Sequence, residues 1–344
     1  MSATDDELAA MRAALVLGEA ALGATSPNPP VGALILDAAG AVVGQGYTQP
    51  AGGDHAELVA LRMAGDAARD GTAVVTLEPC NHTGATPPCV DALLAAGVRR
   101  VVYAVADPNP QAAGGAERLS EHGVEVVGDV LAADAESGAL RWWLHGMHER
   151  RPFVIWKSAN TLDGRVAAAD GTSRWISSPS SLADAHQLRA RVDAVLVGSG
   201  TVLTDDPHLT VRNAAGALAD RQPLRVVLDR RGRVPDEARV LDDAADTRIL
   251  RTAVPSFALK ALWDEGVRSV LLEGGPTVAG AFIAAGCVDE VVLYLAPKLL
   301  GAGPVSLGDS GIGTLADAVS VDITDVTHLG PDLKIIGVPR FGPD

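Results

Sequence analysis

Short apolar, β-branched runs alternate with helix-length segments along the whole chain, and the alternation breaks once, at Arg150-Arg151-Pro152. A strand that reads as a continuous apolar run is buried on both faces. It needs helices on either side of its sheet, which restricts the chain to α/β architectures around a parallel or mixed sheet. In the first half, Thr4-Asp5-Asp6-Glu7 forms a capping box that opens a helix over 5–22, with Leu8, Met11, Leu15 and Leu22 on one side. Strands are expected at 31–36 and 41–47 as a hairpin, then at 73–77, 101–105 and 124–127. Helices are expected at 55–68, 89–96, 115–122 and 131–147. Beyond the break, strands are expected at 153–156, 194–197, 224–228, 269–272, 291–295, 319–323 and 333–338, with helices at 181–191, 256–263 and 277–284. Two α/β domains follow, 1–150 and 151–344.

Composition limits what such a chain can bind. The net charge is −15. Residues 1–150 carry −11, from 8 Arg, no Lys and 19 acids, and the second half carries −4, from 20 bases and 24 acids. Phosphate backbones and anionic membranes repel such a surface, so no nucleic-acid or membrane partner is expected. The longest uncharged apolar stretch, 274–288, is shorter than the roughly 18 residues a membrane helix needs. The acidic first residues do not read as a secretory signal, and three cysteines cannot build a disulfide framework, so a cytoplasmic location is expected. Aromatic residues are only 3% of the chain, so its cores use small side chains and each Trp needs an account of what it covers.

His55-Ala56-Glu57 stands at a helix start, Glu78-Pro79-Cys80 follows a buried strand, and Pro87-Pro88-Cys89 opens the next helix. Imidazole and thiolates suit Zn²⁺, and three protein ligands leave a fourth position where a water reaches a pKa of about 7. Glu57, two residues from His55, is placed to carry protons rather than to ligate, as in the zinc base deaminases. The alternative is a closed structural site in which His82 supplies a fourth ligand. Cys287 has no partner nearby and reads as core.

The cysteine spacing separates this chain from most zinc base deaminases, which place their two cysteines two residues apart. Cys80-Asn81-His82-Thr83-Gly84-Ala85-Thr86-Pro87-Pro88-Cys89, with upstream Asn28-Pro29-Pro30-Val31-Gly32, resembles the deaminase half of the bifunctional riboflavin-biosynthesis deaminase–reductases. The resemblance implies a cytidine-deaminase-like α/β/α sandwich holding one zinc ion per chain, with Asn28 and His82 against the substrate. Two positions depart from the family pattern: Ala85 replaces a usual Lys or Arg, and Thr48 a usual His. Both lie where the substrate's ribose and phosphate are expected.

The second half has no GxGxxG after a strand, so a Rossmann reading is unsupported. It does have Leu272-Glu273-Gly274-Gly275-Pro276-Thr277, a strand running through a glycine turn into a helix start, which suits an anion. Trp156-Lys157-Ser158-Ala159, Leu162-Asp163-Gly164-Arg165, Ser173-Arg174-Trp175, Gly198-Ser199-Gly200-Thr201, Asp205-Asp206-Pro207-His208-Leu209 and Ala296-Pro297-Lys298 resemble the reductase half of the same family.

That resemblance implies a dihydrofolate-reductase-like α/β domain using NADPH. Ala159, Trp175, Thr201 and Asp205 would line the cofactor site, with Gly275, Pro276, Thr277, Val278, Ala279, Gly280 and Ala281 on its pyrophosphate. Lys157, Ser173, Arg189, Leu209, Arg212 and Glu273 would face the substrate, Lys157 orienting ribose hydroxyls or assisting proton transfer. Arg230 and Arg231, after a strand, are placed to favour the extra phosphate of NADPH. The implied reactions are deamination of a diamino-phosphoribosylamino-pyrimidinone, then reduction of its ribosyl group to ribityl, in a homodimer or homotetramer.

Overall fold

The computed structural model of the chain describes residues 2–84, 87–213 and 215–342. The chain forms two compact units, Met1–Arg150 and Arg151–Asp344. Among the described residues no helix is long and apolar enough to cross a membrane.

The first unit opens with helix α1 (Asp5–Ala21), whose capping box is present in both directions: Thr4 Oγ1 accepts from the Glu7 N–H, and Glu7 Oε2 accepts from the Thr4 N–H. Its buried face is Ala10, Met11, Ala14, Gly18 and Ala21, while Leu8 and Leu15 pack only at the rim. The expected leucine stripe therefore lies beside the contact, because small residues allow the closer helix–sheet approach. The strands are β1 (Gly32–Leu36), β2 (Val42–Tyr47), β3 (Thr72–Leu77), β4 (Arg100–Val105) and β5 (Glu125–Val127), in the order β2-β1-β3-β4-β5. β1 runs antiparallel to both its neighbours, and β3, β4 and β5 run parallel.

Helix α2 (Ala56–Ala64) lies almost on the backbone of β2. A Cβ at Gly44 would sit 2.2 Å from the Ala60 carbonyl oxygen, and one at Gly46 would sit 2.6 Å from that of Ala56. Only glycine permits this approach, and it seats the start of α2 against the sheet. Helices α3 (Cys89–Ala96) and α4 (Gly115–Glu121) follow β3 and β4. The single helix expected over 131–147 is two, α5 (Ala132–Ser137) and α6 (Arg141–Glu149), because the chain leaves helical geometry at Gly138. Arg100 of β4, nearly buried, is clasped by Glu7 of α1 and Glu125 of β5, joining three elements through one guanidinium.

The second unit is an eight-stranded sheet: β6 (Phe153–Thr161), β7 (Ala194–Gly198), β8 (Leu224–Leu228), β9 (Thr247–Leu250), β10 (Ser269–Leu272), β11 (Glu290–Ala296), β12 (Ser320–Leu329) and β13 (Asp332–Arg340), in the order β12-β13-β11-β6-β10-β7-β8-β9. The six strands from β11 to β9 in that order are parallel; β13 and β12 close one side as an antiparallel ribbon. β6 runs well past its expected end because β11 pairs with it as far as Ala296↔Thr161.

The unit's helices are α7 (Pro179–Arg191), α8 (Ser199–Asp205), α9 (Pro255–Asp264) and α10 (Pro276–Ala284). Ser178 caps α7, with Pro179 in its first turn. Neither α8 nor the edge strand β9 was expected: α8 is a polar seven-residue turn of helix, and β9 is half-exposed without an apolar run. Trp143 and Trp156 are buried in their units' cores, and Trp263 stacks on the Arg268 guanidinium 3.7 Å away. Trp175 is the exception, 65% exposed.

Candidate functional site

Three element ends meet in the first unit. His55 is the N-cap residue of α2, Cys80 follows β3, and Cys89 is the first residue of α3. Their ligand atoms all lie within 4.8 Å of one another, with His55 Nδ1 at 3.5 Å from Cys80 Sγ and 3.3 Å from Cys89 Sγ. Tetrahedral zinc with ordinary bond lengths separates a nitrogen and a sulfur ligand by about 3.6 Å, so the donor set is already near the spacing the ion requires. The Cys89 N–H donates to Cys80 Sγ at 3.4 Å. Hydrogen bonding from Cys89 draws the Cys80 thiol down to about 4, against the effect of burial, and the bond with Cys80 raises the His55 imidazole. The Cys89 thiol is held high by its bond to Cys80 and by burial.

Glu57 is buried beside them, and burial, reinforced by the Cys80 charge, pushes its carboxyl up to about 7. A carboxyl poised there accepts and returns a proton at neutral pH. No fourth protein ligand belongs to the group among the described residues. His82 lies in the loop between the cysteines with a buried Nδ1 that has no hydrogen-bond partner.

Asn28 sits half-buried in the turn after α1, where its N–H donates to Thr25 O and its carbonyl accepts from Thr25 Oγ1. Thr48 is a strut: its hydroxyl accepts from the Val31 N–H at 3.1 Å. Ala85 lies outside the described residues. One feature of this site escaped sequence reasoning. Buried Glu78 accepts from the N–H groups of Asp107 and Ala116, and Ala112 O accepts from the Asn81 N–H, so the 107–116 loop is tied to the cysteine loop. Burial, with Glu78 adding to it, pushes the Asp107 carboxyl up to about 6 against the pull of the Asn109 N–H. The available signal was Asp107-Pro108-Asn109-Pro110, a turn sequence between two elements.

In the second unit a cavity of about 730 Å³ opens at the C-terminal ends of the parallel strands. It is lined by Lys157, Ala159, Ser173, Trp175, Thr201, Asp205 and Glu273, and by Gly275, Pro276, Thr277, Val278 and Ala281 at the start of α10. A Cβ at Gly200 would meet nothing within 4 Å, and one at Gly275 nothing nearer than 3.8 Å. Both glycines leave open cradle where an anion or a flat group can approach the backbone.

Ala279 and Gly280, expected with them on the pyrophosphate, belong to the opposite face of α10. Ala279 is fully buried in the core, and a Cβ at Gly280 would lie 2.3 Å from the Asp309 carbonyl oxygen. Arg189, Leu209 and Arg212 are likewise not among the cavity's lining residues. Arg189, instead of offering a free cation, donates Nε to Glu273 Oε1 at 2.6 Å and Nη2 to Oε2 at 2.8 Å. Leu209 is buried with a left-handed φ of 52°, and Arg212 donates to Gly216 O.

Lys157 Nζ stands 3.8 Å from Glu273 Oε2 and 5.6 Å from the centre of the Tyr294 ring. Burial would raise Glu273, but Arg189 and Lys157 hold its carboxyl down at about 2. Burial pulls Lys157 below its ordinary value, against the attraction of Glu273. The lining therefore combines glycine cradles, an exposed tryptophan face and a buried ion cluster.

The family model for the cytidine and deoxycytidylate deaminase zinc-binding region matches residues 4–105, and the one for the RibD C-terminal domain matches 152–335. The chain is 53% identical to the riboflavin biosynthesis protein RibD of Mycobacterium tuberculosis over 92% of this chain and 93% of that protein. It is 41% identical to RibD of Escherichia coli over 95% and 98%. Among solved structures, a Thermotoga maritima diaminohydroxyphosphoribosylaminopyrimidine deaminase/5-amino-6-(5-phosphoribosylamino)uracil reductase matches with a TM-score of 0.89 at 32% identity, covering 97% of this chain and 99% of that one. Acinetobacter baumannii RibD matches with the same TM-score at 34% identity and the same coverage. The first unit is thus a cytidine-deaminase-like domain and the second a dihydrofolate-reductase-like one, and the chain belongs to the RibD family of riboflavin biosynthesis proteins.

Proposed function

We propose that residues 1–150 deaminate 2,5-diamino-6-(5-phosphoribosylamino)pyrimidin-4-one to 5-amino-6-(5-phosphoribosylamino)uracil, and that residues 151–344 reduce the ribosyl group of that product to ribityl. The observation that carries the reading is His55, Cys80 and Cys89 gathered around a buried Glu57, on one chain with a cradle-lined cavity beside a buried ion cluster. His55, Cys80 and Cys89 hold zinc, which supplies Lewis acidity when bound. Glu57 takes a proton from the attacking water and returns it to the departing amine, so that water enters and ammonia leaves. Asn28 and His82 contact the substrate.

In the second unit Ala159, Trp175, Thr201, Asp205 and residues 275–278 with Ala281 bind NADPH, which supplies a hydride. Bound there, the cofactor would supply the hydride for reduction at the imine carbon of the ring-opened ribosyl group, and a proton completes the amine. Lys157 and Ser173 face the sugar, and Lys157 is the buried cation placed to orient its hydroxyls or deliver that proton. Glu273 and Arg189 position Lys157, and Arg212 takes the phosphate side of the substrate. The protein works in the cytoplasm as a homodimer or homotetramer, and light scattering that gives a monomer mass would refute the assembly.

One reaction tests both halves. Zinc-loaded protein, the diamino-pyrimidinone phosphate and NADPH are mixed, and ammonia release and NADPH loss are followed together. Both signals are expected, and Glu57→Gln abolishes the first. Ammonia without NADPH loss would overturn the reductase assignment. Absence of ammonia, with NADPH consumed on the deaminated compound, would overturn the deaminase assignment.

A further inference from the structure

Of the five tryptophans, Trp175 alone stands mostly in solvent, 65% exposed, on the loop between β6 and α7. A large apolar ring gains by being covered, and this one lines the second unit's cavity. Two long side chains fix the backbone that carries it. Lys298 Nζ donates to the carbonyl oxygens of both Trp175 and Ile176, each at 2.8 Å. Arg174 Nη2 donates to Asp205 O at 2.8 Å. Neither Lys298 nor Arg174 lines the cavity itself.

Both ends of the loop are anchored first. The segments 162–165 and 296–301, far apart in sequence, grip each other. Asp163 Oδ2 accepts from the Gly301 N–H at 2.6 Å, and the Leu162 N–H donates to Lys298 O at 2.9 Å. Arg165 Nη1 donates to Gly303 O at 2.9 Å, and a Cβ at Gly303 would sit 2.2 Å from Ala167 O. At the far end the Ser178 N–H donates to Asp332 Oδ2 at 2.6 Å, where Ser178 caps α7. Between these anchors the Ile176 N–H turns back onto Ser173 O.

The two side-chain ties reach this turn from opposite sides. Lys298 follows β11 and Asp205 ends the helix after β7, with β6 and β10 between those strands in the sheet. β10 leads into the Gly274-Gly275 cradle. The segment 173–176 is therefore held on both flanks of the cradle, and its exposed indole is offered to a flat group in the cavity.

We propose that Lys298 and Arg174 are positioning residues for Trp175: they hold 173–176 as a strap, so that the indole stacks on a flat ring of the bound dinucleotide. This inference rests on reading the cavity as the cofactor site. Both residues act through backbone carbonyls and touch no ligand. Both are exposed, so their loss loosens the strap and leaves the sheet intact. A loose strap populates the stacking geometry less, and the apparent affinity falls by that fraction.

The test is a double-mutant cycle on the whole protein, with NADPH affinity read by calorimetry and dissociation by stopped-flow fluorescence of NADPH. Trp175→Ala should weaken NADPH binding by about 10-fold, the loss of one base-sized stack. Lys298→Met and Arg174→Ala should each weaken it by roughly 3–10-fold, mainly through faster dissociation, and Lys298→Arg should restore most of the affinity. In a Trp175→Ala background the same two substitutions should cost less than about 2-fold more, because the group they position is gone. Lys298→Met and Arg174→Ala proteins that bind NADPH as tightly as the unsubstituted one would overturn the strap while leaving the cofactor site standing. So would losses that are equally large with Trp175 absent, since these would mark a structural role. Failure of the unsubstituted protein to bind NADPH would overturn the reading of the cavity and the strap with it.

Discussion

Arg189 of α7 and Glu273, 84 residues later at the end of β10, meet through two parallel hydrogen bonds of 2.6 and 2.8 Å. Arg189 also donates to Thr210 O at 3.2 Å, and the Glu273 side chain is only 9% exposed. The pair fixes a negative charge 3.8 Å from Lys157, at the inner end of the cavity. A buried pair of this kind stabilises little against an apolar replacement, but breaking it by removing one partner is costly.

Removing the guanidinium alone therefore strands a buried carboxylate. Arg189→Ala should destabilise the second unit by about 3–5 kcal/mol, and Arg189→Met with Glu273→Leu by clearly less. Denaturant midpoints of Arg189→Ala and the double variant, set against the unsubstituted protein, measure the difference. Equal losses for Arg189→Ala and the double variant would contradict it.

Glu273 also sets an acid limit. Its carboxyl sits at about 2, below the ordinary 4.5, so the folded state holds the proton less tightly than the unfolded chain. The associated stability is complete above about pH 4.5 and is lost as pH falls through about 2, a contribution on the order of 2–3 kcal/mol. Between pH 5 and 2 the stability of Glu273→Gln should fall less steeply than that of the unsubstituted protein. Parallel curves would show that the carboxylate is not held as described.

Metal content is the most direct check on the first unit. Metal analysis of the purified protein should give one zinc per chain, and His55→Ala, Cys80→Ser or Cys89→Ser should bring it near zero. A chelator should lower the first thermal transition and stop ammonia release while leaving NADPH oxidation on the deaminated compound intact. Loss of both activities on chelation would contradict the division of labour.

Gly115 offers a sharper test of how the ligand loop is seated. A Cβ there would lie 1.8 Å from the carbonyl oxygen of Pro79, the residue before Cys80. Gly115→Ala should shift that loop, weaken zinc affinity by roughly 10-fold or more, as supporting contacts around metal sites typically do, and leave NADPH binding unchanged. Competition with a chromogenic chelator reads the metal affinity directly.

Sequence made the metal group legible because metal chemistry narrows the residue types and because each ligand stands at the end of a regular element. His55, Cys80 and Cys89 could be read from three short segments. The pairing of Arg189 with Glu273 could not, since it depends on which helix crosses which strand end. The same limit hid the tie between Glu78 and the 107–116 loop. The family resemblance groups Ala279 and Gly280 with the cofactor residues, whereas helical rotation turns them toward the core and toward Asp309. Helix α8 escaped because its sequence has no apolar period, and the 131–147 helix was drawn as one because a single glycine is weak evidence for a break.

The cysteine loop has one further consequence. Cys80 is anchored just past β3 and Cys89 is the first residue of α3, so the stretch between them is held at both ends by the sheet and the helix. Its length and side chains can change without moving either sulfur. On the proposed function the reaction is carried by the anchored ends and the choice of molecule by the span, so selection can retune one while leaving the other as it was.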